Sequence, residues 1–434
     1  MYSINNVIQR SNRHKTASQP EWLWGDFVQR ATQIAQQFQQ QRIHSVACWL
    51  TDGAQFGCVL LACFMTHVRL LLPPNRLAEN RDWAMENADL LFDDEVFFYF
   101  GIEQKLTENS PHFSVAFAAD NSTEIWLKTS GSSGEAKVIV KTACQMWAEA
   151  EALSQVFERD VVEQVIGSVS VQHLYGLTFR IMLPLYQGWQ IGRRQLNYAE
   201  YLLAESRQQR SLWVCSPALL NNIHFGHTGL SEYRIAGLVS SGGVLAESTA
   251  NQLRRQLPCP VMEIYGSSET GVIARRFDYR QWRIFPHSRI GIDERGALWV
   301  ESPWSNGCQQ TADIVEIDER GFTLLGRADR IIKLNDHRIS LNRMEQHLLK
   351  HPWVRDCHLG LHPRRSRLVA WVALEKTALS LERKQLIERL KAHLAQTELR
   401  IALPRYWRFC ENLPRNSQFK LNHLDFEKLC EEIA

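Results

Sequence analysis

The stretch Thr129-Ser130-Gly131-Ser132-Ser133-Gly134-Glu135-Ala136-Lys137 constrains this chain more than any other. The apolar run Ile125-Trp126-Leu127 precedes it and Val138-Ile139-Val140 follows it, so mostly small residues join two strand-like segments in a hairpin-like turn. Glycines let a backbone approach a ligand closely, and successive N–H groups beside serine and threonine hydroxyls make a cradle for an anion. Lys137 adds a mobile positive charge of the kind that meets phosphate. A flexible surface loop is the commoner fate of Ser/Gly composition, yet this segment sits between strands and not between domains. A P-loop is excluded: that motif ends Gly-Lys-Ser/Thr, whereas Glu135-Ala136 separates Gly134 from Lys137.

The remaining chain must supply the sheet such a turn belongs to. With 434 residues there is material for two or three structural units. Periodicity predicts a helix over 20–42, with Leu23, Phe27, Ala31, Ile34 and Phe38 on one face. A strand over 45–50, a helix over 54–65 and a strand over 68–72, stopped by Pro73-Pro74, form a βαβ-like unit. Val96 to Phe100 reads as a further short strand, and Leu386, Leu390 and Leu394 mark a late amphipathic helix. The ten cysteines are scattered without a Cys-x-x-Cys pair, which predicts reduced, mostly buried thiols in the cytoplasm and makes a structural metal unexpected. The polar N-terminus shows no secretory signal, and the most apolar run, Cys58 to Met65, is too short to span a bilayer. A net charge of +2 gives no electrostatic case for nucleic acid or an anionic membrane as partner.

The turn fits throughout the pattern Thr-Ser-Gly-Ser/Thr-Ser/Thr-Gly-x-x-Lys, and so resembles the phosphate loop of the adenylate-forming superfamily: acyl- and aryl-CoA synthetases, luciferases and peptide-synthetase adenylation domains. Other segments are similar to that family's motifs, in its order. His173-Leu174-Tyr175-Gly176 resembles a His-x-x-Gly segment bordering the acyl pocket, and no aspartate of the sort that holds a substrate ammonium occurs between Val161 and Arg180. Ser241-Gly242-Gly243 resembles the turn beside adenine and the acyl carbonyl. Tyr265-Gly266-Ser267-Ser268-Glu269 resembles Tyr-Gly-x-Thr-Glu with a serine for the threonine; Tyr265 offers a face to adenine and Glu269 a hard oxygen to Mg2+. Thr311-Ala312-Asp313 matches Thr-Gly-Asp except at Ala312, its carboxylate suited to ribose hydroxyls. Gly326-Arg327-Ala328-Asp329 resembles the hinge, with Arg327 reaching nucleotide and Asp329 as pivot. Arg338 and Glu345 fit the positions that follow, and Pro414-Arg415 to Lys420 resembles the ending that carries the catalytic lysine, with Phe419 for glycine.

The resemblance implies an α/β protein: a large N-terminal adenylation domain of sheets covered by helices, residues 1–327, and a small mobile α+β C-terminal domain, residues 328–434. It implies an ATP- and Mg2+-dependent ligase that joins a small carboxylic acid to AMP and then to a thiol, either CoA or the phosphopantetheine of an acyl carrier protein. Lys420, Lys137 and His173 would be catalytic. Thr129, Ser130, Gly131, Ser132, Ser133, Gly134, Gly242, Gly243, Tyr265, Gly266, Ser268, Asp313 and Arg327 would hold the nucleotide, Glu269 the metal. Asp336 stands where the family has a glycine lining the pantetheine tunnel. Two other readings stay open: a non-catalytic homologue that binds nucleotide or a partner, prompted by Ala312, Asp336 and Phe419, and an ATP-dependent phosphotransferase that releases ADP.

Overall fold

The computed structural model describes residues 15–17, 21–100, 120–130, 136–157, 159–221, 223, 230–257, 259–277, 281–334, 337–365, 367–415, 421 and 423–432. Sheets and helices alternate along the chain, as an α/β architecture requires. The described residues fall into two compact units. One takes in the chain up to Ser130, Ala136–Arg289 and Val300–Gln309, and the other Ile290–Trp299 and the chain from Gln310 onward. No helix among the described residues is long and apolar enough to cross a membrane.

In the first unit, the helix Trp24–Gln40 buries Phe27, Ala31, Ile34 and Phe38 of the face its periodicity announced, while Leu23 precedes the helix, half-buried in the short strand Trp22–Leu23. The βαβ unit is present. Strand Ser45–Trp49 pairs in parallel with strand Arg69–Leu72, and the helix Gly53–Thr66 connects them. Asp52 starts that helix by accepting hydrogen bonds from Ala54 N at 2.8 Å and Gln55 N at 3.1 Å, satisfying two of its orphan donors. On the other side of Ser45–Trp49 runs strand Leu90–Asp93, and beyond Arg69–Leu72 comes strand Glu124–Ser130. The hairpin partner Ala136–Thr142 is antiparallel and closes this five-stranded sheet.

The strand expected over Val96 to Phe100 is instead the helix Asp94–Tyr99. Asp93 decides it: its carboxylate accepts from Glu95 N and Val96 N, and Asp94 and Glu95 place negative charge in the first turn, all of which favour a helix start. A strand would alternate burial, whereas here Phe97 is buried while its neighbours Phe98 and Tyr99 are 78% and 87% exposed.

A second, nine-stranded sheet holds parallel strands in the spatial order Val261–Ser267, Ile235–Ser240, Ser211–Cys215, Gln164–Gly167, Gln190–Gln195. Strand Gly271–Arg276 folds back antiparallel on Val261–Ser267. Helices cover these strands, so the strands read as near-continuous apolar runs.

In the second unit, strands Val354–Leu361, Leu368–Leu374 and Tyr406–Cys410 form a three-stranded sheet. The helices Leu341–Leu349 and Arg383–Leu394 share its apolar core, and Leu386, Leu390 and Leu394 are buried as their four-residue spacing predicts. All ten cysteines are free; six are buried and Cys308 alone is exposed.

Candidate active site

Parallel strands present a row of carboxyl ends, and in open α/β sheets ligands bind just outside such ends. In the first unit three of the motifs lie there. Strand Gln164–Gly167 leads into the His173 segment, Ile235–Ser240 into Ser241-Gly242-Gly243, and Val261–Ser267 into the turn with Ser268 and Glu269.

Side chains tie these turns together. Tyr175 Oη donates to Val239 O at 2.9 Å and contacts Cys215 O at 3.2 Å, fixing the His173 segment to two neighbouring strands. Burial pushes that phenol well above its ordinary range, so it stays a neutral donor. Ser241 Oγ donates to Ile264 O at 3.0 Å, joining the Ser-Gly-Gly turn to the strand of Tyr265. His173 is half-buried at the start of the short helix Leu174–Gly176. Gly176 is required by packing: a Cβ there would lie 1.9 Å from Ser170 O.

Gly242 and Gly243 are exposed, and they differ from Gly176. Gly242 has φ +84°, in the left-handed region, and a Cβ on it would meet nothing within 4 Å. A Cβ on Gly243 would make only ordinary contact, 3.6 Å from Pro217 Cγ. Open space above a glycine pair is what a flat ligand needs.

Tyr265 is half-buried, its ring 5.5 Å from that of Trp282. Gly266 lies against the returning strand, where a Cβ would be 2.2 Å from Gly271 O. Ser268 is half-buried and Glu269 exposed at the tip of the hairpin. Thr270 locks the tip: its Oγ1 accepts from Ser267 N at 3.0 Å and donates to Gly271 O at 2.9 Å.

Two residues that the sequence reading passed over hold this hairpin from behind. Lys141 is 1% exposed, and its Nζ donates to Glu269 O and Trp304 O, both at 2.8 Å. Glu149, also 1% exposed, accepts from Val272 N at 2.7 Å and from Thr178 Oγ1 at 2.9 Å. Desolvation lowers the Lys141 pKa and raises that of Glu149, and each charge pulls the other back toward its ionised form. A third buried charge, Arg180, donates to Val169 O, Gly192 O and Arg194 O at 2.6, 3.0 and 2.8 Å.

Thr129 and Ser130 end one strand of the antiparallel pair Glu124–Ser130 and Ala136–Thr142, and Thr129 Oγ1 donates to Lys137 O at 3.2 Å across it. Lys137 is exposed. Gly131, Ser132, Ser133, Gly134, Asp336, Phe419 and Lys420 lie outside the described residues. In the second unit, Asp313 and Arg327 face each other across the antiparallel strands Gln309–Asp318 and Gly321–Arg327, 3.6 Å apart. Thr311 Oγ1 accepts from Asp313 N and donates to Leu298 O, which fixes the aspartate's backbone. Asp329 lies in the single 3-10 turn Ala328–Arg330 that follows.

The family model described as AMP-binding enzyme matches residues 76–293, half of the chain. The chain belongs to that family. Among curated relatives of this AMP-binding enzyme is the 4-coumarate–CoA ligase of Cereibacter sphaeroides, 28% identical over 309 residues that cover 68% of this chain and 69% of the relative. A 3,4-dihydroxybenzoate–[aryl-carrier protein] ligase of Bacillus anthracis is 22% identical over 246 residues, 54% of this chain and 58% of that one. In fold, the AMP-binding enzyme is similar to a benzoate CoA ligase from Burkholderia xenovorans, with a TM-score of 0.81 at 17% identity over 98% of this chain and 99% of the other. The phosphate-loop hairpin and the acidic hairpin of the AMP-binding enzyme both fall inside the matched region; Asp313 and Arg327 fall beyond it.

Proposed function

We propose that this AMP-forming acid–thiol ligase activates an aryl carboxylic acid and passes it to a phosphopantetheine thiol, that of CoA or of an acyl carrier protein. The observation that carries most weight is the row of His173, Ser-Gly-Gly and Tyr265–Glu269 turns at the carboxyl ends of parallel strands of one sheet. A flat, open glycine pair beside an aromatic face suits adenine, and the acids in the relatives' names, coumarate, benzoate and dihydroxybenzoate, each carry an aromatic ring. Lack of an aspartate between Val161 and Arg180 goes with an acid that has no ammonium to hold. Nothing in the relatives' descriptions favours the non-catalytic reading.

In the first half-reaction a carboxylate oxygen of the acid bonds to the α-phosphorus of ATP, and the bond from that phosphorus to the bridging oxygen breaks, releasing pyrophosphate. Lys137 meets the outer phosphates and Lys420 the charge that grows on the α-phosphate and the carboxylate. Asp313 accepts from the ribose hydroxyls, and Arg327 holds that carboxylate while reaching the nucleotide. Mg2+ fits the acidic hairpin, because it is bound through one or two carboxylates plus substrate phosphates and Glu269 presents one exposed carboxylate on a tied turn. When bound there it supplies neutralisation of phosphate charge. In the second half, residues 328–434 turn about Asp329, withdrawing Lys420 and admitting the thiol, whose sulfur displaces AMP from the acyl carbon.

The test is acid-dependent pyrophosphate release across aryl and fatty acids, with Lys420→Ala beside the parent. Release that needs an aryl acid and falls about a hundredfold or more in the variant is expected. Release without acid, or untouched by the substitution, overturns the reading. Adding CoA or a carrier protein to the charged enzyme then identifies the acceptor.

A further inference from the structure

Lys141 lies four residues beyond Lys137 on the strand Ala136–Thr142, so the two side chains leave the same face about 13 Å apart. Lys137 is exposed and Lys141 is buried. A strand that follows Val138-Ile139-Val140 with a buried lysine meets a large desolvation cost, and something must offset it. The offset is specific. The ammonium gives two of its three protons to main-chain oxygens, Glu269 O at the tip of the acidic hairpin and Trp304 O.

The same hairpin is gripped at its next residues. Glu149 accepts from Val272 N, and Trp304 Nε1 donates to Val272 O at 2.9 Å. Gly271 between them has φ +67°, and a Cβ on it would lie 2.5 Å from both Glu149 Oε1 and the Trp304 ring. The turn from Glu269 to Val272 is thus held at a donor and at two acceptors by three buried side chains. A carboxylate carried on it has its main chain fixed, leaving only its own rotamers free.

Resting on the ligase reading above, we propose that Lys141, with Glu149 as its counter-charge, is a positioning residue that sets the metal-binding carboxylate of Glu269 in register with the strand carrying Lys137. The phosphate-binding charge and the metal-binding charge then arrive at the nucleotide from two elements joined by one ammonium. Neither Lys141 nor Glu149 touches substrate; both act through Glu269.

The experiment uses the full chain and three variants: Lys141→Met, Glu149→Gln and the double change K141M/E149Q. Thermal melting reads folding, and calorimetry reads the Kd for ATP with Mg2+ and with a chelator, which needs no acid. Pyrophosphate release is measured alongside. Each single change leaves one buried charge without its opposite and should lower the melting temperature, whereas the double change removes both charges and should recover part of the loss, Glu269 O and Trp304 O still lacking the ammonium. The proposal expects the double variant to fold and to melt above Lys141→Met, yet to lose Mg2+-dependent tightening of ATP and about a hundredfold in kcat/KM. Glu149→Gln takes a supporting negative charge from Lys141 but can still accept from Val272 N, so it should weaken the Mg2+ effect less than Lys141→Met does.

A double variant that regains stability, Mg2+ dependence and activity together makes the pair structural only, and the proposal falls. It falls also if the double variant does not fold, or if parental ATP binding ignores Mg2+. The last outcome leaves the ligase reading intact when acid-dependent pyrophosphate release persists. Loss of that release in the parent sinks the ligase reading by itself.

Discussion

Two motif turns of the first unit are each held by a buried cation, and the two cations solve the problem of burial differently. Lys141 ties the acidic hairpin, through Glu269 O, to Trp304 O, and the charge of Glu149 supports its ionised form. Arg180 holds the His173 segment through three carbonyls, Val169 just before that segment and Gly192 and Arg194 on the adjacent strand. A guanidinium starts from so high a pKa that burial, pulling it down to about 10, still leaves it charged near neutral pH. An ammonium starts lower and would be more easily neutralised, so it needs the nearby negative charge. The guanidinium's planar fork also reaches three oxygens from two separate nitrogens, a wider spread than the single nitrogen of an ammonium covers. Arg180 is therefore a clamp that keeps its charge mainly through its own high pKa, with Asp52 in support, whereas Lys141 leans on Glu149.

Breaking the clamp should have the largest effect. Arg180→Met removes three charge-assisted hydrogen bonds and leaves buried carbonyls behind, at a cost of about 4 kcal/mol. Urea unfolding measures it. The sharper half of the test is Arg180→Lys, which keeps the charge but not the fork and should recover less than half of that loss. Full recovery would mean that charge alone mattered, and the contrast with Lys141 would collapse.

Next in size is Gly176→Ala, which leaves the clamp in place and pushes the same segment off its seat. With its Cβ 1.9 Å from a backbone oxygen, the helix Leu174–Gly176 and the turn at Ser170 must separate. Overpacking of this kind costs about 2 kcal/mol. Thermal unfolding should show it, together with weaker acid binding if His173 borders the acyl pocket. A variant as stable as the parent would show that Arg180 does not pin this turn rigidly.

Much of this was legible in the sequence, and the reasons for the omissions are physical. The hairpin around the phosphate loop and the βαβ unit follow from apolar runs and small-residue turns. The Val96 segment misled because a run of apolar and aromatic residues looks like a strand until the cap at Asp93 is taken into account; a capping carboxylate followed by two acids was the available signal. Lys141 and Glu149 escaped for another reason. Their roles depend on Glu269 and Val272, more than a hundred residues away, and no local pattern encodes that distance. A faint trace existed: Glu149 falls on the buried face of its helix with Met146, Ala150 and Leu153, and Lys141 ends an apolar strand. A charge on a core face asks for a partner, but the chain alone does not say which. Asp313 and Arg327 were each legible from motif resemblance, while their pairing across two strands emerged only with the register.

The smallest expected change in stability comes at a turn held by no buried cation. Gly243→Ala puts a methyl where only Pro217 Cγ, at 3.6 Å, would meet it, and its φ is not among the positive ones. Stability should therefore stay within about 0.5 kcal/mol of the parent. Activity should not follow stability. If adenine lies flat on the Ser-Gly-Gly turn, that methyl occupies the space of the ligand and the KM for ATP should rise about tenfold, with kcat little changed. The braced turns should behave oppositely, any change in ATP binding there coming with a loss of stability. An unchanged KM at Gly243 would take adenine off this turn, and the open space above the glycine pair would then need another occupant.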